Sequence, residues 1–410
     1  MNMHSKERGQ ALIVIAIALV ALAGIVGLVV DGGNSFLDRR NAQNAADSAA
    51  LAGALTRVRG QQQSMSGAAL SSAAQNGYNN DGTSNTVEIH NPPIDGPNKG
   101  DMEYVQVVIV SHVKTYFARV LGWRELTNKV EAVARTKSPI VTQILNGQAV
   151  ISLAPTSDCN NHKAFWLHGE ATLDITGGGV FVNSSNNQCA FIQQGSGSIR
   201  INDNHLINVV GAAMIQKPQL LTPGVTVGVA STSYPPAFFL PKFGCGGDAA
   251  VSEDGTSMTS GRWDDVFPPP GVTYLESGTY CLQKGMDITG DLEGSNVVLK
   301  IEDGDVHFSG TAKILLDAPH TGDLKGLLMF VPMNNRNKIV LNGGADSIIK
   351  GTILAPASDI HINGNDSSAG FKSQIIGYTI DVNGDSNVVI DYKDELNYNT
   401  LTMPEVQLSE

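Results

Sequence analysis

Twenty consecutive residues near the amino terminus, 11–30 (ALIVIAIALVALAGIVGLVV), carry no polar side chain. No other feature of the chain restricts its fold as severely. At about 1.5 Å of rise per residue, a helix of this length reaches about 30 Å, the depth of a bilayer's hydrocarbon core. The apolar stretch of a cleaved secretory signal is shorter, about 7–15 residues, so the run predicts a retained transmembrane helix. Lys6 and Arg8 precede it while Arg39 and Arg40 follow it, and flanking charge alone does not orient it. Long domains cross a membrane largely regardless of such charges. The expected arrangement therefore leaves residues 1–10 in the cytoplasm as a short lead, 11–30 in the lipid bilayer, and the bulk of the chain outside.

The composition of the whole chain is that of a turn-rich β protein, with 44 glycines and only 16% charged residues. A net charge of −12 and the lack of any basic cluster interleaved with aromatics argue against a nucleic-acid partner. All four cysteines, Cys159, Cys189, Cys245 and Cys281, lie past the span, and none sits in a Cys-x-x-Cys pair. Spacings of 30, 56 and 36 residues without neighbouring histidines do not suit zinc. An even count outside the membrane points to two disulfides. Cys159–Cys189 and Cys245–Cys281 are expected among three connectivities, with four buried free thiols as the alternative.

Over residues 34–59 the pattern remains helical. Ala42, Ala45, Ala46, Ala49, Ala50 and Gly53 recur at steps of three and four, which places them on one face. A face of alanines buries little apolar area and drives folding weakly. It does permit close backbone approach, as small residues do between membrane helices. An exposed stalk of high helix propensity is the alternative. Asp31 and Gly32 mark the expected membrane exit, where the chain has room to kink. A second Ala/Ser-rich helix is expected over 64–77, closed by Asn76-Gly77. Strands follow at 86–90, within MEYVQVVIVSHVKTYF and at NKVEAVART. Residues 31–137 thus read as a small α+β unit, a long helix laid against an antiparallel sheet.

From residue 138 a repeat appears. LDITGG (from Leu173), IRINDN (Ile199), MDITGD (Met286), VHFSGT (Val306), IVLNGG (Ile339), IHINGN (Ile360) and IDVNGD (Ile380) are each an apolar–x–apolar strand closed by a polar turn. Met286 to Val306 and Ile360 to Ile380 are 20 residues apart, and Ile339 to Ile360 is 21. A period near 20 with short strands and Asn/Gly turns predicts a β-solenoid, whose stacked coils bury what one coil cannot. Hairpins of a sandwich, with their own Asn-Gly turns, are the alternative. The rhythm breaks over 206–280, around YPPAFFLPKFGCGG and WDDVFPPPG, which reads as an insertion packed beside the coils.

Carbohydrate-cleaving sites on such folds need carboxylates gathered on one face, with or without calcium. The candidates on repeat strands are Asp174, Asp287, Asp359 and Asp381, with His307 and His361, and on turns Asp291, Asp305, Asp366 and Asp385. Each more often stands at a solvated turn or an outward strand position, and no catalytic residue is expected among them. No cofactor is expected. Calcium at Asn/Asp turns stays open, although no repeat follows the Gly-Gly-x-Gly-x-Asp pattern. The segment SEDGTSMTS places Met258 where a metal-dependent adhesion site needs a second hydroxyl. Phosphate loops, nucleotide fingerprints and Gly-x-Ser-x-Gly elbows do not occur.

The stretch RGQALIVIAIALVALAGIVGLVVDGGNSFLDRRNAQNAADSAALAGA resembles the opening domain of TadE/TadG-like proteins of tight-adherence (Flp) pilus systems. Arg8, Gly9, Gln10, Asp31, Gly32, Arg39, Arg40 and residues 43–47 and 49–54 carry the likeness. TYFARVLGW and NKVEAVART resemble the end of that family's pilin-like unit. GTILAPASDIHINGN and IIGYTIDVNGDSNVVIDY are similar to carboxy-terminal domains attached to some members. The resemblance implies a non-enzymatic, single-pass component of a bacterial cytoplasmic membrane, with its bulk extracytoplasmic, serving pilus assembly or surface attachment. The lipid bilayer, other pilin-like subunits and the assembly machinery are the partners it implies. Prepilin-type cleavage between Gly9 and Gln10 is also raised. Val14 would then be the fifth mature residue, where pilin-like precursors carry Glu, so an unprocessed anchor is expected. The fold class expected is an α+β pilin-like amino-terminal unit with a transmembrane helix, followed over 138–410 by a mainly-β, right-handed β-helix (β-solenoid). The alternative function is a membrane-tethered β-helix that binds or cleaves envelope polysaccharide.

Overall fold

The computed structural model describes residues 10–137, 139–342, 346–364, 370–385, 387–402 and 404–409. They divide into two compact units, one built from residues up to Pro139 together with 404–409, the other from 140–402. The final strand, Glu405–Ser409, thus leaves the carboxy-terminal region in which the sequence places it and joins the first unit.

In that first unit, helix α1 (Gln10–Val58) is 49 residues long, about 74 Å at the usual rise. Among the described residues it is the one helix long and apolar enough to cross a membrane. Its apolar side chains from Leu12 to Val30 are exposed. The helix passes through Asp31, Gly32 and Gly33 without a break, so no kink marks the exit. Nor does close packing require these glycines, since a Cβ on Gly32 or Gly33 would meet nothing within 4 Å.

Past the exit α1 lies against α2 (Met65–Gln75) and an antiparallel sheet of β1 (Asn85–His90), β2 (Tyr104–Lys114), β3 (Glu125–Lys137) and the final strand. Ala42, Ala45, Ala46, Ala49, Ala50 and Ala54 are wholly buried here, packed with Ala69 and Ala73 of α2 and with Val105, Val107, Ile109, Val130, Ala132 and Ala134 of the sheet. The small-residue face is therefore spent inside the unit and is not free for neighbouring subunits. Alanines suit it because β-branched residues already fill the sheet side, leaving no volume for longer chains.

The second unit is built from parallel ladders. Every strand pair in its two large sheets is parallel, and each needs a crossover to the next rung. In the ten-stranded sheet the spatial order runs Leu221–Thr222, Ser198–Ile201, Thr172–Thr176, Asn387–Asp391, Gly370–Lys372, Ile348–Lys350 and on to Ser257–Met258. The sixteen-stranded sheet carries two more ladders, joined through the long strands Thr352–Gly364 and Ile375–Gly384. The seven repeat segments fall into two of these ladders. Leu173 and Ile199 are neighbours in the ten-stranded sheet. Met286, Val306, Ile339, Ile360 and Ile380 stand in register across the other, with Phe165 next in line. The two apolar residues of each segment point into the main core, and the residue between them faces out.

All ladders share one departure from chain order. Strands near residues 150–176 stack on those at 375–391, the last rungs in sequence. The chain climbs away to Val225–Val227 and must then return to the far end to begin again at Ser257. Residues 228–256 make that return. Val229, Tyr234, Phe238, Leu240 and Phe243 cover a second apolar layer formed by Ile151, Leu153, Phe181, Val298, Leu327, Phe330, Leu354 and Ile376. Phe243 rests 6.0 Å from Phe330 between ring centres, and Lys300 donates to the Phe243 carbonyl at 2.9 Å. A disulfide joins Cys245, in the second half of the strap, to Cys281 in Gly278–Leu282, and another joins Cys159 to Cys189. The 206–280 segment is accordingly not one insertion. Its two ends, 207–227 and 257–280, are ladder strands, and only the strap between them lies outside.

Substitution should separate crowding from mere smallness on α1. Ala46→Leu is expected to destabilise the chain by about 1–3 kcal/mol, because the sheet leaves no space for the added carbons. Gly53→Ala should hold or raise stability by up to about 1 kcal/mol, since the new Cβ would sit 3.4 Å from the Ala69 Cβ and the Val105 Cγ1. Thermal unfolding of both variants in detergent checks the ordering.

Candidate functional site

Where α1 leaves its apolar run, two carboxylates fix it to the sheet. Asp31 is only 3% exposed, and its oxygens accept the backbone N–H groups of Tyr116 (2.9 Å), Phe117 (2.9 Å) and Ala118 (2.6 Å). These three donors open a one-turn helix, Ala118–Leu121, at the tip of the β2–β3 hairpin. A carboxylate with three N–H donors forms charge-assisted bonds and fixes the loop's orientation. Four residues earlier, Gly27 makes room for Phe117, for a Cβ there would fall 2.5 Å from the Phe117 Cβ. Seven residues after Asp31, on the same face, Asp38 accepts from Ser111, from Asn128 at 2.7 Å and from the Tyr78 hydroxyl at 3.0 Å. Burial first, and then Asp38, push the Tyr78 phenol well above its ordinary range.

The second unit holds a cleft of about 790 Å³, lined by the turn 156–163 and by Trp166, Arg336, Asp359, His361, Thr379 and Asp381. Its floor, His361, Asp381 and Trp166, is one end of an outward column of the ladder register. Asp287 lies beside His307, His307 beside Val340, then His361, Asp381 and Trp166. Asp381 stands between two histidines, 2.9 Å from His168 Nε2 and 3.3 Å from His361 Nδ1. Thr379 donates to Asp359 at 2.6 Å. Asp158, in the wall, accepts the N–H groups of Asn160, Asn161 and His162, and the first two of these do most to hold it below the usual carboxylate range. Lys163 Nζ lies 3.0 Å from the centre of the Trp166 ring, and the His168 ring stacks at 3.5 Å. Groups so close to one ring centre must lie on opposite faces, so the indole has no free face. Its N–H donates to Gln194 at 3.0 Å.

Residues 9–75 match the family described as Flp pilus-assembly TadE/G-like. No curated protein and no solved structure matches the chain. The TadE/G-like segment takes in the apolar run, Asp31, Asp38, the alanine face and α2, and stops before the sheet that receives them.

Of the sequence candidates, Asp359, His361 and Asp381 come together in the cleft, while Asp287 pairs with His307 at 2.9 Å further along the column. Asp174 belongs to the ten-stranded sheet, where its nearest cation is Arg200 at 3.8 Å. Asp291 and Asp305 accept the backbone N–H groups of Lys313 and Lys338. Asp366 and Gly9 lie outside the described residues, and Gln10 is the first residue of α1. No three His, Cys, Asp or Glu side chains among the described residues form a group able to hold a metal. Asp38, Gly27 and Phe117 went unremarked in the sequence. The seven-residue step from Asp31 to Asp38, in line with Ala42, Ala45 and Ala49, was the signal that could have found the second clamp.

Asp31→Asn should destabilise the first unit by about 1–3 kcal/mol, because an amide nitrogen would face donors that need an acceptor. Trypsin should then cut faster at Arg119 and Arg124 in the detergent-solubilised chain, and equal rates would count against the clamp. His361 gives a pH dependence. Its pKa is lowered from 6.5, chiefly by burial and further by Lys338 and His168, against the opposing pull of Asp381 and Asp359. A histidine kept neutral in the fold takes up its proton on unfolding, so stability holds above about pH 6.5 and falls as the pH drops below it. In His361→Gln the thermal midpoint of this unit should lose that share of its pH slope.

Proposed function

We propose that this chain is a membrane-anchored, non-enzymatic component of a Tad-type (Flp) pilus assembly or surface-attachment system. In this reading α1 holds it in a bacterial cytoplasmic membrane and the mass of the chain is extracytoplasmic. The observation that carries the proposal is the unbroken run of α1 from a bilayer-length apolar stretch into its clamps and alanine face, all within the TadE/G-like match. A helix that leaves the bilayer without a loop passes its position and tilt directly to the folded unit. That suits a subunit held in place by other pilin-like subunits or by an assembly machine.

Residues 140–402 we read as a β-solenoid that serves as the adhesive or spacing element. Ladders in a common strand order, with rungs near twenty residues apart, support that reading. Two disulfides suit an oxidising compartment. Cleavage of polysaccharide is left out of the proposal. Trp166 offers no open face to a sugar ring, and Asp381, Asp359 and Asp158 are already engaged by protein donors.

Complementation of a deletion strain tests this. The full chain and Asp381→Asn should both restore piliation and surface attachment, whereas a chain lacking residues 11–30 should not. Protease added to spheroplasts should digest residues 140–402. Unchanged piliation in the deletion strain would overturn the pilus assignment. A stable Asp381→Asn chain that fails where the parent succeeds would overturn the non-enzymatic one.

A further inference from the structure

We propose that the tip of the β2–β3 hairpin, residues 115–124, is a membrane-interface foot that seats the first unit in the lipid surface from which α1 emerges. This rests on the reading of α1 as a membrane span. The tip presents large apolar side chains to the outside. Tyr116 is 71% exposed, Phe117 49%, Val120 87% and Trp123 62%. Exposed Lys114, Arg119 and Arg124 flank them. Trp and Tyr concentrate where acyl chains meet headgroups, and Arg and Lys reach from that level to phosphates.

The occupant follows from where the tip is held. Phe117 packs on Gly27, one helical turn inside the end of the apolar run, and Asp31, the residue after that run, binds the tip's backbone. Gly27 and Asp31 are about 6 Å apart along the helix axis. A bilayer that covers α1 as far as Val30 must therefore meet Phe117 and its neighbours. The tip is also rigid enough to be placed. Thr115 N–H donates to the Arg124 carbonyl at 3.1 Å, Trp123 N–H to Ala118 at 3.1 Å, and the Thr115 hydroxyl to the Trp123 carbonyl. Phe36 and Leu37, exposed on α1 just past the exit and followed by Arg39 and Arg40, extend the same apolar-and-basic pattern. In water such a patch would be costly; at the acyl–headgroup boundary both of its halves are solvated.

Trp123 is the probe. The full chain carrying Trp166→Phe and Trp263→Phe would be reconstituted into vesicles of phosphatidylcholine and phosphatidylglycerol, floated on a density gradient, and titrated with quenchers. The expected result is a blue-shifted Trp123 emission that loses most of its intensity to lipids brominated near the headgroup end of the acyl chain, less to lipids brominated near the chain terminus, and little to aqueous acrylamide. Flotation with acrylamide quenching and no bromolipid quenching would overturn the foot while leaving the anchor intact. Flotation with neither kind of quenching would mean that a protein surface covers the patch, and would overturn it too. A chain that does not float defeats the anchor reading itself, and the foot with it. Should the two Phe replacements disturb folding, the parent chain compared with Trp123→Phe gives the same answer, because the shallow-bromolipid component must vanish in the variant.

Discussion

The Asp31 carboxylate and its three backbone donors are the interaction on which the first unit depends. A helix of 49 residues with an apolar first half and a small-residue second half has no intrinsic reason to meet a sheet at one height. Asp31 supplies the height, and Asp38 the rotation. Once both carboxylates have found their donors in the β2–β3 hairpin, the next turns of the same face bring Ala42, Ala45, Ala46, Ala49 and Ala50 onto the sheet. The alanines contribute little hydrophobic free energy each. Their part is to let a helix approach a valine-rich sheet without voids, while the buried polar bonds make the register unique.

The second unit obeys a different constraint. A parallel ladder cannot be closed by a tight turn, and here the chain begins in the middle of the stack. Some segment must therefore run back along the outside. The strap 228–256 does this, and the aromatic and proline-rich sequence that breaks the rhythm is the covering layer for an apolar outer face. Cys245–Cys281 fastens the strap in its second half, and Cys159–Cys189 fastens the loop that walls the cleft.

The cleft shows why a list of carboxylates was an incomplete guide. Asp359, His361 and Asp381 stand together because their strands are in register, and the same register supplies their partners. His168 arrives from a rung more than two hundred residues away in sequence, and no local pattern announces it. Lys163 and His168, by contrast, close over Trp166 from only three and two residues away in the chain.

Much of the architecture was legible because it follows from local periodicity. The apolar run specifies by its length a helix able to cross a membrane, the alanine spacing a packed helical face, and the apolar–x–apolar segments strands with one outward residue each. These depend only on helix pitch and strand alternation, which neighbouring residues determine. What the tertiary structure alone decided concerns partners distant in the chain. It covered the alanine face with the unit's own sheet, brought residues 405–409 back to β3, stacked the first rungs on the last, and buried Asp31 beneath a hairpin some 85 residues further on. Such contacts arise from loop closure and from satisfying buried polar groups across the whole fold, and no window of sequence contains both sides of them.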